Sequence, residues 1–211
     1  MIGYRGGPLG VPSYWGQAKE YLILTDPVLA TIIRVCGKES LEGQGNPFCT
    51  LLHSIVAQQI SVYASERIWS RFEDAIGDMT PTNVRLCKEQ KLRAVGLSRR
   101  KVSYIFAVSE AFSNGTLVSW KWNAMTDAEV AKNLMKLRGI GEWTAEMFLI
   151  FHLLRPNVLP VSDVGLQRAC SQHYNIKNPK EIKKCGEMWK PWCSVATWYL
   201  WRSLDPHTIA Y

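Results

Sequence analysis

The sequence predicts an all-α fold, and three observations predict it. Apolar residues recur at i, i+3 and i+4 in nearly every segment long enough to test. Capping residues stand ahead of these segments, and glycine, asparagine or proline follows them. No two segments alternate apolar and polar residues as a hairpin of strands would, and there is no internal repeat. With 211 residues, 47% of them hydrophobic, the chain is long enough to bury its own core.

The opening MIGYRGGPLGVPS is rich in Gly and Pro and predicts an irregular arm before a first helix near residues 14–24. Asp26-Pro27 is a cap and first-turn pair for a second helix, which ends at Gly37. After the loop ESLEGQGNP, Phe48, Leu51, Leu52, Ile55 and Val56 mark a third helix, with His53, Ser54 and Gln58 expected on its polar face. It runs into Gln58-Gln59-Ile60-Ser61, where Ser61 can cap a helix bearing Ile68, Trp69 and Phe72. Thr80-Pro81 opens another, closed by Gly96. Ser98 caps one that turns Val102, Ile105, Phe106 and Phe112 inward and stops at Asn114-Gly115. Thr126 and Glu129 form a capping box for a helix to Arg138. Residues 145–154 are apolar on nearly every side, which predicts a helix buried in mid-fold and stopped by Pro156. Asn178-Pro179 begins a further helix, and the last, from about Pro191 to Leu204, carries Trp192, Trp198, Tyr199 and Trp201. The expected architecture is two helical lobes with the active cleft between them. Residues 1–45 and about 170–211 make one, and about 46–165, with a hairpin at 137–145, make the other.

The formal net charge of +7 favours a polyanionic partner, although charge alone is a weak vote. No stretch reaches the roughly 18 uninterrupted apolar residues of a membrane helix, and the N-terminus lacks a leader pattern. A soluble, cytoplasmic monomer with no membrane role is therefore expected. Cys36, Cys49, Cys87, Cys170, Cys185 and Cys193 contain no C-x-x-C pair and read as buried, reduced thiols. Cys170, Cys185 and Cys193 are spaced too widely for the close-set thiolates of an iron–sulfur cluster, so none is expected.

Residues 137–168, LRGIGEWTAEMFLIFHLLRPNVLPVSDVGLQR, concentrate the chemistry. A helix ending at Gly139 and another starting at Gly141 would leave almost no linker, a reversal that glycine makes cheaply. The first-turn amides of the second helix would then point outward at the positive end of its dipole, a seat for phosphate. Ile140 would plug the hairpin into the core. A lone G-x-G is more often an ordinary tight corner between helices. Asp163, just ahead of Val164-Gly165-Leu166, reads by position first as a helix cap, a role compatible with chemistry because a cap fixes the carboxylate.

These motifs do not stand alone. Leu137-Arg138-Gly139-Ile140-Gly141-Glu142-Trp143-Thr144-Ala145 is followed by Pro160-Val161-Ser162-Asp163-Val164-Gly165-Leu166. Ile55-Val56-Ala57-Gln58-Gln59-Ile60-Ser61, Gly96-Leu97-Ser98-Arg99-Arg100-Lys101 and Trp189-Lys190-Pro191-Trp192-Cys193-Ser194 complete the set. Together they resemble the helix-hairpin-helix DNA glycosylase superfamily, most closely the bacterial 3-methyladenine DNA glycosylase II type, over roughly residues 48–204.

The resemblance implies double-stranded DNA with damaged bases as partner and hydrolysis of an N-glycosidic bond as reaction. It gives Asp163 the role of catalytic carboxylate, stabilising positive charge on the sugar and orienting water. Many relatives carry an acidic residue just before this aspartate, whereas this chain has Ser162, which leaves Asp163 the only carboxylate of its segment. Trp143 occupies the place where relatives that also nick the backbone have an imine-forming lysine, so base release without lyase chemistry is expected. Trp143 and Trp201, with Met147 one turn after Trp143, are expected to line a pocket for a flipped, cationic base. Core packing is the ordinary role of any one tryptophan among nine. Gln59 aligns with the residue inserted into the gap left by the flipped nucleotide, and Gly139, Ile140, Gly141 and Thr144 with the DNA-binding hairpin. Arg99, Arg100 and Lys101 are DNA-backbone candidates, although a charge run is more often a solvated face. In the family, hairpin carbonyls also hold a monovalent cation, which implies a sodium or potassium ion near Leu137 and Gly139 and no other cofactor. Alkylated purines, 3-methyladenine first and then 7-methylguanine, are the expected substrates. Deaminated bases such as hypoxanthine, or a non-catalytic DNA-binding module, are the alternatives.

Overall fold

Caps and apolar spacing place twelve α-helices among residues 9–117 and 122–204, the part of the chain that this computed structural model describes. They are α1 (Trp15–Thr25), α2 (Pro27–Cys36), α3 (Pro47–Ala57), α4 (Val62–Ile76), α5 (Pro81–Leu86) and α6 (Glu89–Ala94). Then follow α7 (Arg99–Ser113), α8 (Asp127–Leu134), α9 (Glu142–Phe151), α10 (Val164–Tyr174), α11 (Pro179–Cys185) and α12 (Cys193–Leu204). Two-residue strands, Leu9–Gly10 (β1) and Gly43–Gln44 (β2), pair with each other, a ladder too short to leave an alternating signature in the sequence. Most of the expected N-terminal arm lies outside the described residues. No described helix is long and apolar enough to cross a membrane.

The chain divides into two compact units, one of Gln44–Leu153 and one of the described residues up to Gly43 and from Leu154 onward. The division thus falls at residue 154, not near 165 as the sequence suggested, and Asp163 belongs to the second unit. Ser194 shows why. Its hydroxyl donates to Arg155 O at 2.6 Å and accepts from Val158 N at 2.9 Å, while its own N–H donates to Pro156 O at 3.0 Å. One serine at the start of α12 ties down the loop that follows α9.

In that unit α12 packs against α1, α2 and α10, and its residues from Cys193 to Leu200 are all buried. Asp26 is 1% exposed and fully satisfied by donors. Its Oδ1 accepts from Val28 N and Leu29 N at 2.9 and 3.1 Å, capping α2 as expected. Its Oδ2 accepts from the Tyr174 hydroxyl and Trp189 Nε1 at 2.7 and 2.8 Å. A buried carboxylate is tolerated when donors replace its water.

In the other unit α3 is the central helix, in contact with α4, α7 and α9. His53 and Ser54, expected on a polar outer face, are buried at 4% and 0% exposure. Neighbouring groups satisfy them: His53 Nε2 lies 3.1 Å from Glu66 Oε1, and Ser54 Oγ donates to Thr50 O at 2.8 Å. The helix expected from Thr80 to Gly96 is two, α5 and α6, because Cys87 and Lys88 adopt extended backbone between them. Phe106 is half-buried, while Val102, Ile105 and Phe112 face inward as expected. The capping box of Thr126 and Glu129 opens α8, and Ser61 and Ser98 cap α4 and α7. α9 is almost wholly buried after Trp143, but it ends at Phe151, ahead of the Pro156 stop.

Candidate active site

The hairpin is looser than two abutting helices. α8 stops at Leu134 rather than Arg138, and residues 135–141 form turns held by three-residue hydrogen bonds: Lys136 N to Asn133 O, Leu137 N to Leu134 O and Ile140 N to Leu137 O. Its two glycines differ in kind. Gly139 sits at φ +93°, and a Cβ there would lie 2.1 Å from Tyr104 Cγ, so both the backbone and the α7 ring require glycine. Gly141 has extended backbone, φ −101° and ψ −178°, with open space where a Cβ would stand. It is the N-cap of α9, and its helix start has no side-chain cap. Exposed Lys136, Arg138 and Glu142 flank this end. Ile140, 5% exposed, plugs into the core as expected.

Thr144 does not face outward. It is 1% exposed, and its Oγ1 accepts from Gln58 Nε2 at 2.9 Å. The same amide nitrogen donates to Gly139 O, also at 2.9 Å. Gln58, the C-cap of α3, therefore fastens that helix end to both arms of the hairpin. The pair of adjacent amides was visible in the sequence, but this role was not, because its partners lie some eighty residues on.

Gln59, the next residue, is exposed and adopts φ +59°, a left-handed conformation that costs a side chain other than glycine free energy. The backbone thus turns Gln59 outward at the tip of the α3–α4 connection. Arg100 Nη2 lies 3.5 Å from Gln59 Oε1. Lys101 points inward and donates to Val56 O at 2.7 Å, satisfying a C-terminal carbonyl of α3. Burial holds its ammonium below the usual lysine range. It is a support for the α3 end, while Arg99 and Arg100 remain exposed. On α9, Trp143 is half-buried and Met147, one turn on, is 1% exposed.

The second unit holds the aspartate. Asp163 is the N-cap of α10, as position alone predicted, and its Oδ1 accepts from Leu166 N at 2.6 Å. The same oxygen accepts from Trp201 Nε1 at 2.8 Å, so α12 reaches the carboxylate through an indole N–H. The Asp163 N–H donates to Pro160 O at 2.9 Å, and Gln167 Nε2 donates to Val161 O at 2.9 Å, closing the turn that precedes the helix. Asp163 and Trp201 are both half-buried, and Ser162 is exposed.

All six cysteines are free, but only Cys170 and Cys193 are buried. Burial pushes the Cys170 thiol up to about 12 and those of Cys49, Cys185 and Cys193 up to about 11, which disfavours thiolates. The described residues contain no group of three or more His, Cys, Asp or Glu side chains placed to hold a metal.

Residues 52–193 match the HhH-GPD superfamily of base excision DNA repair proteins. Among curated relatives, YfjP of Bacillus subtilis is 32% identical over 166 residues, covering 74% of this chain but only 58% of its own. DNA-3-methyladenine glycosylase 1 of Schizosaccharomyces pombe is 30% identical over 165 residues, covering 74% of this chain and 72% of that one. Among solved structures, the Schizosaccharomyces pombe 3-methyladenine DNA glycosylase Mag1 in complex with abasic DNA matches with a TM-score of 0.80 at 26% identity, over 92% of this chain and all of that chain.

Proposed function

The chain belongs to the HhH-GPD superfamily of base excision DNA repair proteins, and from that premise we propose that it is a monofunctional DNA glycosylase that removes alkylated purines. The substrate is double-stranded DNA carrying 3-methyladenine or 7-methylguanine, and the product is an abasic site. Methylation at a ring nitrogen makes the base cationic and a good leaving group. The bond from the sugar C1′ to the base nitrogen breaks, and its electron pair leaves with the base, neutralising the ring. The positive charge left on the sugar faces the Asp163 carboxylate, water adds at C1′, and its proton passes to the carboxylate and then to solvent. Trp143, backed by Met147, offers an indole face to the cationic base, and Trp201 offers a second indole. Gln59 fills the gap in the duplex.

The observation that carries this reading is Asp163, a lone carboxylate pinned through Oδ1 by Leu166 N–H and the Trp201 indole N–H. The uncapped start of α9 beside Gly141 supports a phosphate seat at the hairpin. Trp143, in the lysine's place, supports hydrolysis without strand cleavage. For the expected sodium or potassium ion, Leu137 O already accepts from Ile140 N at 3.1 Å and Gly139 O from Gln58 Nε2 at 2.9 Å. Each carbonyl keeps one lone pair, so the two would serve such an ion only as partial ligands. Acting on genomic DNA, the protein works as a monomer in the bacterial cytoplasm, at the nucleoid.

The test is base release from methylated duplex DNA. Wild type is expected to release 3-methyladenine. Asp163→Asn should lose on the order of 10²-fold or more in single-turnover rate while still binding abasic DNA. Borohydride should trap no enzyme–DNA adduct. Wild type that binds DNA without releasing any base, or a trapped adduct, overturns the proposal; release of hypoxanthine alone reassigns the substrate.

A further inference from the structure

We propose that Gly165 and Trp201 are positioning residues that fix the rotation of the Asp163 carboxylate, Trp201 by its indole N–H and Gly165 by having no side chain. The inference rests on Asp163 being the catalytic carboxylate. Gly165 lies in the first turn of α10, in helical backbone without a positive φ, where alanine is intrinsically the better residue. Conformation therefore does not explain the glycine, but proximity does. A Cβ at Gly165 would stand 3.0 Å from Asp163 Oδ1, 3.1 Å from Trp201 Cδ1 and 3.2 Å from Trp201 Nε1. All three nearest atoms belong to the pair joined by the 2.8 Å hydrogen bond. The indole reaches the carboxylate by crossing the space that a methyl group would occupy.

The geometry of the bond has a chemical consequence. Two donors from different elements, the α10 backbone and the α12 indole, converge on the same oxygen and set the plane of the carboxylate. Trp201 thus acts through Asp163, in addition to any face it offers a base.

The experiment measures single-turnover release of 3-methyladenine from methylated duplex DNA as a function of enzyme concentration, for wild type, Gly165→Ala, Trp201→Phe, the double variant and Asp163→Asn. Thermal melting and binding to an abasic duplex run alongside. Both single variants should slow release on the order of tenfold, because placement errors of a fraction of an ångström are costly at a reacting centre. The loss should lie in the saturating rate, and for Gly165→Ala the half-saturating enzyme concentration and abasic-DNA binding should be unchanged. The double variant should be no slower than the slower single, since both changes break one bond. Folded single variants with the wild-type saturating rate, beside an inactive Asp163→Asn, overturn the positioning role and leave the glycosylase reading intact. An Asp163→Asn protein as active as wild type overturns that reading, and this inference falls with it. If Trp201→Phe fails to fold, the Gly165→Ala saturating rate decides alone.

Discussion

Substituting alanine at Gly139 and at Gly141 should separate fold from DNA binding within three residues. At Gly139 the backbone holds φ +93°, in a region that costs an L side chain about 1–2 kcal/mol. The new Cβ would stand 2.1 Å from Tyr104 Cγ, where carbon atoms pack at about 3.5–4 Å, so ring or hairpin must move by more than an ångström. Overpacking of this kind costs about 1–3 kcal/mol. The sum, about 2–5 kcal/mol, is a large share of the 5–15 kcal/mol typical of a folded protein and should lower Tm on the order of 10 °C. At Gly141 the backbone is already extended and the Cβ enters open space, so Tm should stay within about 2 °C of wild type. The same methyl group would take up part of the open space at the start of α9 that the proposed phosphate would fill, weakening affinity for an abasic duplex on the order of tenfold. Thermal denaturation and fluorescence anisotropy at fixed salt read the two effects. Adding Tyr104→Ala to Gly139→Ala should recover the steric part and leave the backbone part. Equal melting of Gly139→Ala and wild type, or equal destabilisation by the two alanines, would refute the reasoning.

Two further outcomes follow from buried polar groups. Gln58→Leu keeps the volume but leaves Gly139 O and Thr144 Oγ1 without their shared donor, which should destabilise the hairpin unit by about 1–3 kcal/mol. Hydrogen exchange should accelerate at residues 137–145 and not in α12; uniform protection in both would count against the link. His152, 2% exposed and tilted against the Phe148 ring with centroids 4.6 Å apart, has its pKa pushed down to about 4 by burial. The unfolded chain takes up a proton near its ordinary value of about 6.5 while the folded one does not, so this stability is present above that pH and drains away as pH falls toward 4. The loss approaches about 3 kcal/mol. His152→Phe keeps an aromatic ring in place and should flatten the decline of Tm between pH 6.5 and 4; an unchanged slope would assign that decline to other groups.

Sequence reading succeeded where the physics is local. A cap needs only its own residue and the next three, so Asp26, Ser61, Ser98, Thr126 with Glu129, and Asn178 all announce helix starts that the structure contains. It failed where a distant element supplies the partner. His53 and Ser54 look solvent-facing by polarity, but Glu66 and the Thr50 carbonyl let α3 be buried on every side. Residues 135–138 are of helix-compatible types, so nothing local marks the change to three-residue turns after Leu134. For the site, the aspartate and the hairpin were legible as motifs, while the duties of Gln58, Lys101 and Gly165 were not. Each depends on a neighbour dozens of residues away: Gly139 and Thr144, Val56, and Trp201.

The Gln58 amide has one more consequence, for the entropy of binding. Because it fastens the end of α3 to Gly139 and Thr144, the outward-turned Gln59 and the uncapped start of α9 at Gly141 are mounted on one part, in fixed register. Two grips on separately moving loops would each have to be ordered on every encounter, at about 0.5–1.5 kcal/mol for each side chain immobilised. Here folding has already met that cost, so if Gln59 and the start of α9 grip DNA as proposed, the spacing between the two grips is preset for undamaged and damaged duplexes alike.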